Sequence, residues 1–291
     1  MFNVTKNNKI FYIIPVVIII IGIIMGFVNG GFNLDTEFIG GTSLTIDMGK
    51  EFSDAELNNF AEKALGKDVT VQKTEGNKAV IRTVEITNEE KAALLNALAT
   101  EYGIEAQAEN FEAVSATIGA ETTQKAIIAV IIAVILMLIY ISVRFEFLSG
   151  VAAVMALIHD VLIMLSVYLI FKIPVNSSFV AALLTILGYS INATIVMFDR
   201  VRENMRLTRK EPFQSIVNKS VWQTMGRSIN TSITTLITIV LLYFMGVDAI
   251  KEFALPIIVG VVSGFYSSVF LSGNFWIMLK KAAKHKNVVE Q

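Results

Sequence analysis

Phe179 to Phe198 reads FVAALLTILGYSINATIVMF and runs straight into Asp199-Arg200-Val201-Arg202-Glu203-Asn204. At about 1.5 Å of rise per residue, such a run crosses the hydrocarbon core of a bilayer as a helix. Alternating steps of four and three pick out Thr185, Tyr189, Asn192, Val196 and Asp199, which places the polar groups on one helical face. Lipid cannot satisfy that face. Each group needs a partner on another helix or a wet cavity, so the segment is predicted to wall an intramembrane polar site, and the rest of the chain is read for its neighbours.

The composition agrees with a membrane protein: of 291 residues, 54% are hydrophobic and only 17% charged, with a mean hydropathy of +0.62. The absence of cysteine excludes a disulfide framework, a thiolate metal site and a cysteine nucleophile. No GxxxxGK[ST] phosphate loop and no cluster of His and carboxylates at ligand spacing occurs, so no metal, cofactor or catalytic residue is expected. Nucleic acid is not an expected partner.

Ile10 to Val28 is a first apolar run, read as an uncleaved anchor because Val28-Asn29-Gly30 is a poor cleavage site. Residues 30–123 differ in kind, with seventeen Asp or Glu against seven Lys or Arg. They are predicted to form a water-soluble insertion. Leu44, Ile46 and Met48 alternate as a strand, and Ser53-x-x-Glu56 predicts a capping box opening a helix with Leu57, Phe60, Ala61 and Ala64 on one face. Strands around Val69–Val71 and Val80–Val84 flank a turn at Glu75-Gly76-Asn77. A second helix is capped by Thr87-x-x-Glu90 and carries Leu94, Leu95, Leu98 and Tyr102, before a last strand at Ala106–Phe111. The order β-α-β-β-α-β predicts a ferredoxin-like α+β domain.

Five further spans are expected at Ala126–Val143, Leu148–Phe171, Phe179–Phe198, Ser228–Val247 and Phe253–Leu279. The predicted fold is thus a polytopic α-helical membrane protein of six transmembrane helices with an inserted domain. Residues 1–29 hold the N-terminus and first helix, 30–123 the insertion, 124–279 the five-helix bundle and 280–291 a basic tail. Between residues 199 and 227 lie seven Lys or Arg against three acids, and the tail adds Lys280, Lys281, Lys284 and Lys286. The positive-inside rule puts these and both termini in the cytoplasm, with 30–123 outside a cytoplasmic membrane.

Asp160 is the eleventh residue of the 22-residue stretch Gly150 to Phe171, close to the midplane. A charge there costs about 2.5–3.5 kcal/mol on insertion scales, so the position is a candidate for ion coupling; a packing role through His159-Asp160 is the alternative. Arg227, Asn230, Thr234 and Thr238 repeat the polar stripe on the fifth span, and Arg227 is placed to pair with Asp199 or to snorkel to headgroups. Gly260 and Gly264 form a GxxxG, a candidate packing motif. Val201 to Lys219 reads as an amphipathic helix lying on anionic lipid or docking a partner, or as a solvated loop.

The stretch Gly188-Tyr-Ser-Ile-Asn192-Ala193-Thr-Ile-Val-Met-Phe-Asp199-Arg200-Val-Arg-Glu-Asn204 closely resembles the signature of the SecF family, the smaller subunits of SecD/SecF protein-export complexes. Asp35-Thr-Glu37-Phe38-Ile-Gly40-Gly41-Thr42, Ala156-Leu-Ile-His159-Asp160, Arg227-Ser-Ile-Asn230-Thr231-Ser232 and Gly264-Phe-Tyr266-Ser267-Ser268 agree in order. The resemblance implies half of a resistance-nodulation-division transporter, with SecD as pseudo-symmetric partner beside the SecY channel complex. It also implies a preprotein drawn outward by the proton motive force in late translocation. By position it marks Asp199, Arg200 and Arg227, with Asn192 and Asp160 at polar intramembrane positions. Many members carry an Asp after the signature Asn as a favoured proton carrier, whereas this chain has Ala193. The acid then comes from SecD, from Asp160 or from Asp199, or another ion couples. Two other classes stay open: a stand-alone proton-coupled exporter of small molecules or lipids, and a passive scaffold.

Overall fold

The structure is a computed structural model and describes residues 4–5, 8–104, 108–208 and 211–289. Among the described residues, six helices are long and apolar enough to cross a membrane. They are α1 (Asn8–Val28), α5 (Ala116–Arg144), α6 (Phe147–Phe171), α7 (Ser177–Leu207), α8 (Phe213–Met245) and a last span built from α9 (Asp248–Tyr266), a π turn (Ser267–Leu271) and α10 (Ser272–Val289). Two compact units result, Leu34–Ile127 and the remainder.

The smaller unit holds a four-stranded antiparallel sheet in the order β2-β3-β1-β4, from β1 (Gly41–Asp47), β2 (Val69–Thr74), β3 (Lys78–Thr83) and β4 (Ala108–Val114). A short α2 (Thr36–Ile39) precedes β1, while α3 (Asp54–Leu65) and α4 (Asn88–Tyr102) follow β1 and β3. Leu44, Ile46, Ile81 and Val69 of the sheet close a core with Leu57, Ala61, Leu94 and Leu98 of the helices. The alternation of β1 and the i, i+4 spacing of both helices present those side chains to one layer.

Several expectations shift. Thr87 and Glu90 form a reciprocal capping box, but Ser53 caps α3 without a side-chain hydrogen bond, and Ala64 is exposed. The last strand occupies Ala108–Val114 rather than Ala106–Phe111; Ala106 and Gln107 lie outside the described residues. Helix α5 begins at Ala116, upstream of the expected Ala126, because Thr122 and Glu121-Lys125 satisfy themselves along the helix by i, i+4 contacts.

In the larger unit, small residues let helices approach. A Cβ on Gly22 of α1 would lie 2.5 Å from Ser166 Cβ of α6, and one on Gly260 of α9 would lie 2.5 Å from Ile186 of α7. Pro15 has no N–H to offer the Phe11 carbonyl one turn earlier. The Tyr266 hydroxyl donates to that carbonyl instead, at 2.8 Å.

The stretch Val201–Lys219 is neither one amphipathic helix nor a loop. It divides into the end of α7 and the start of α8. Val201, Asn204, Ile216 and Val217 are buried, and Asn204 Nδ2 donates to Ser220 Oγ at 2.8 Å and to Gln223 Oε1 at 2.7 Å. The hairpin takes up Val201, Ile216 and Val217, while Leu207 at the end of α7 stays exposed.

Candidate functional site

Two acids define two different sites. Asp160 on α6 is 1% exposed. Its face of α6 is built from Ser149, Gly150, Ala153 and Ala156, all buried, which brings neighbouring helices close. Opposite, the α7 face of Ile186, Ser190 and Thr194 is also buried. Gly264 of α9 lets that face in, since a Cβ there would sit 3.0 Å from Ser190 Cβ. The carboxylate then receives three hydroxyls: Ser190 Oγ donates to Oδ2 at 2.5 Å, Ser263 Oγ to Oδ1 at 2.8 Å and Ser267 Oγ to Oδ2 at 2.8 Å. His159 Nδ1 lies 3.0 Å from Oδ1.

The π turn contributes directly to this arrangement. Its widened turn, closed by Ser272 N–H on the Ser267 carbonyl, starts at one of the three serines, and such turns often occur at functional sites. Ser267 Oγ has a second acceptor in the Gly264 carbonyl at 3.2 Å. The hydroxyl can therefore leave Asp160 without becoming unsatisfied. The site as a whole ties α6, α7 and the last span through one side chain, which meets the expected need of Asp160 for compensation with hydroxyls of the same chain.

Asp199 is different. The stripe Thr185, Asn192 and Asp199 lies on the exposed side of α7, with Tyr189 and Val196 half-buried. On α8, Arg227, Asn230, Thr234 and Thr238 are exposed as well. The predicted polar wall thus faces away from this chain's own packed helices. Asp199 and Arg227 line one cavity of about 560 Å³ with Arg144, Arg200, Glu203 and Gln223. The expected ion pair between them does not form: among the described residues no salt bridge within 4 Å joins Asp199 to Arg227. Arg200 is met by Glu203 at 2.6 Å and by Gln223 at 2.8 Å, which leaves Arg144, Arg227 and Asp199 around the cavity without ion-pair partners among the described residues.

The threonines of α8 turn inward on their own helix. Thr231, Thr234 and Thr238 donate to carbonyls four residues back, at 2.9, 2.9 and 3.2 Å. Asn192 and Asn230 have no such outlet, and among the described residues their side chains make no hydrogen bond within the chain. The Tyr189 hydroxyl reaches Ser232 Oγ at 3.4 Å.

Sequence reasoning singled out Asp160, Gly260 and Gly264, which converge, but gave no role to Ser190, Ser263 and Ser267. A signal was there. Ser263 and Ser267 stand i, i+4 in an apolar span, interleaved with Gly260 and Gly264, a spacing that puts two hydroxyls on the face where helices touch.

Residues 94–282 match the family described as Protein export membrane protein SecD/SecF, C-terminal. The chain is 38% identical to the protein translocase subunit SecF of Acidaminococcus fermentans, over 97% of this chain and 99% of that one. It is 34% identical to the protein translocase subunit SecDF of Bacillus subtilis, over 95% of this chain and 38% of the relative. The crystal structure of SecDF, a translocon-associated membrane protein from Thermus thermophilus, superposes with a TM-score of 0.87 at 31% identity, covering 96% of this chain and 39% of that one. The chain thus spans about two fifths of the SecDF chains.

Proposed function

The chain belongs to the SecD/SecF family of protein-export membrane proteins, and from that premise we propose that it is an auxiliary subunit of the Sec translocase. With SecD it uses the proton motive force to promote late stages of preprotein translocation. Relatives named SecDF, of which this chain matches a part, support SecD as the partner. The SecY channel complex and the translocating preprotein are the further partners of this reading. The basic stretch 199–227 and the basic tail support a cytoplasmic location for both termini, with residues 30–123 outside; the β-α-β-β-α-β order and the 2-3-1-4 sheet support a ferredoxin-like description of that domain.

One observation carries the proposal: the polar groups of α7 and α8 that find no mate among the described residues of this chain. Asn192 and Asn230 sit on exposed faces of spanning helices, where lipid cannot hydrogen-bond them, and Asp199 and Arg227 follow on the same exposed faces at the cytoplasmic ends of those helices. A second helical subunit that covers this face supplies both the mates and the missing acid beside Ala193. Ion coupling is then a property of the interface, in which Arg227 and Asn192 assist a partner carboxylate. Each elementary charge moved across 100 mV is worth about 2.3 kcal/mol, so a few protons suffice for a conformational step.

The test uses the complex reconstituted with SecD and the channel. Replacing Asn192 and Arg227 together by Ala abolishes the proton-gradient-dependent part of export and leaves the gradient-independent part unchanged. Photocrosslinkers at positions 192 and 230 capture SecD. Gradient-dependent export at wild-type level in the double variant would remove the coupling assignment, and capture of lipid alone would remove the interface.

A further inference from the structure

A second cavity, of about 380 Å³, adjoins the one that Asp199 shares with Arg227. It lies between the end of α5 and the last turns of α7, lined by Arg144, Asp199, Arg202, Glu203, Arg206 and Leu207. Arg202 Nη1 donates to the Arg144 carbonyl at 3.1 Å, which ties α5 to α7 and holds both arginines at one cavity. Nearby acids do not neutralise them. Glu203 is taken by Arg200 at 2.6 Å and Glu146 by Lys280 at 3.0 Å, and among the described residues no salt bridge within 4 Å reaches Arg144, Arg202 or Arg206. Asp199 is then the one lining acid without an ion pair among the described residues, and the cavity keeps a surplus of positive charge. The apolar run Phe179–Phe198 already takes up about 30 Å of hydrocarbon, so Arg202 stands about one turn beyond it, at the level of lipid phosphates. On α5, Leu136, Tyr140 and Val143 are exposed at i, i+4 and i+7, on one face that runs from Arg144 into the hydrocarbon.

We propose that this cavity binds the headgroup of an anionic phospholipid, with the phosphate diester on Arg144, Arg202 and Arg206 and an acyl chain along Leu136, Tyr140 and Val143. The guanidinium fork matches phosphate oxygens, and basic pockets between spanning helices suit such headgroups. A zwitterionic lipid fits less well, because its ammonium would share the cavity with three guanidinium groups. Asp199 opposes the phosphate, which gives the site a sign of its own. Neutralising Asp199 strengthens lipid binding, whereas the same change removes a charge that a partner subunit would match. The assignment needs only that α5 and α7 cross the membrane, and it stands apart from the role proposed with SecD.

The test is native mass spectrometry of the full chain in detergent, titrated with phosphatidylglycerol or with phosphatidylcholine of the same acyl chains. Phosphatidylglycerol is expected to fill one saturable site about tenfold more tightly than phosphatidylcholine. Arg206→Gln, which breaks no hydrogen bond or ion pair among the described residues, weakens that site about fivefold, and adding Arg144→Gln brings the loss to about 25-fold. Asp199→Asn tightens it about fivefold. Arg202 stays in place because it also holds α5, and thermal midpoints check the folding of each variant. A control variant with Lys281→Gln and Lys284→Gln removes the same charge from exposed positions of α10 and shifts the affinity by less than about twofold. Glycerophosphoglycerol, the same diester without chains, separates a lipid from a free anion and is expected not to compete at millimolar concentration. Equal affinities for the two lipids, an equal loss in the lysine control or no tightening by Asp199→Asn overturns the proposal. So does displacement by glycerophosphoglycerol, which makes this a free-anion site, or loss of the lipid when SecD is bound, which gives the cavity to the partner.

Discussion

Asp160 and Asp199 are the same side chain in two opposite situations. Asp160 finds three serine hydroxyls and an imidazole in its own chain, while Asp199 shares a cavity with three arginines and pairs with none of them. The difference comes from their neighbours. Small residues on α6, α7 and α9 bring helices close enough for short hydroxyl side chains to reach the first acid. The second lies beyond the close contact, on a face this chain leaves open. A polar group in a spanning helix is therefore structural where its donors are local and incomplete where they are not.

The largest test of that contrast removes the local acid. Asp160→Ala leaves a void and two hydroxyls, those of Ser190 and Ser263, without their acceptor, while Ser267 keeps the Gly264 carbonyl; the change is expected to destabilise the membrane unit by about 3 kcal/mol. Asp160→Asn keeps the volume and one acceptor and should lose less. Thermal unfolding of the purified chain measures both, and a midpoint unchanged by the Ala substitution would show that the cage contributes nothing to packing.

A smaller test separates exposure from partner supply. Glu90 is a surface acid whose partners are local: Lys67 Nζ at 2.6 Å and the Thr87 backbone N–H at 2.8 Å. The hydrogen bond from Lys67 first, and that from Thr87 next, hold its carboxyl below the ordinary 4.5. Because the folded value is depressed, its contribution is fully present at neutral pH and fades as pH drops below 4.5 through the folded value. Thr87→Ala removes the hydroxyl half of the box at a cost of about 1 kcal/mol. Hydrogen exchange across the first turn of α4 should show faster opening in the variant and, for the wild type, faster opening in acid once intrinsic exchange is corrected. A first turn protected equally at pH 7 and pH 3.5 would remove Glu90 from the argument.

Much of this was legible from the sequence, for physical reasons that can be named. Six long apolar runs separated by polar connections give six helices, and the alternation of Leu44, Ile46 and Met48 gives β1 with its core face. What the sequence hid was which face of α7 packs. The stripe through Asn192 and Asp199 draws attention because it is polar, yet the packed face is the plainer one through Ile186, Ser190 and Thr194. In lipid the packed face is chosen by close fit and not by hydrophobicity, so polarity alone does not point inward. The serine cage was hidden for the same reason: a serine reads as filler until the glycine opposite it is known.

The smallest effect expected in the isolated chain is the most informative one in the complex. Asp199→Asn should change the stability of this chain by no more than about 0.5 kcal/mol, because no partner among the described residues is lost. If Asp199 and Arg227 are completed by a second subunit, the same substitution weakens assembly with SecD and lowers gradient-dependent export, and Arg227→Ala does both more strongly because it leaves the partner's acid unmatched. Stability of the chain alone, affinity for the partner and export are three separate readouts. A loss of stability in the first would make Asp199 a second Asp160. Silence in the last two would leave the exposed polar face of α7 and α8 with no role in coupling.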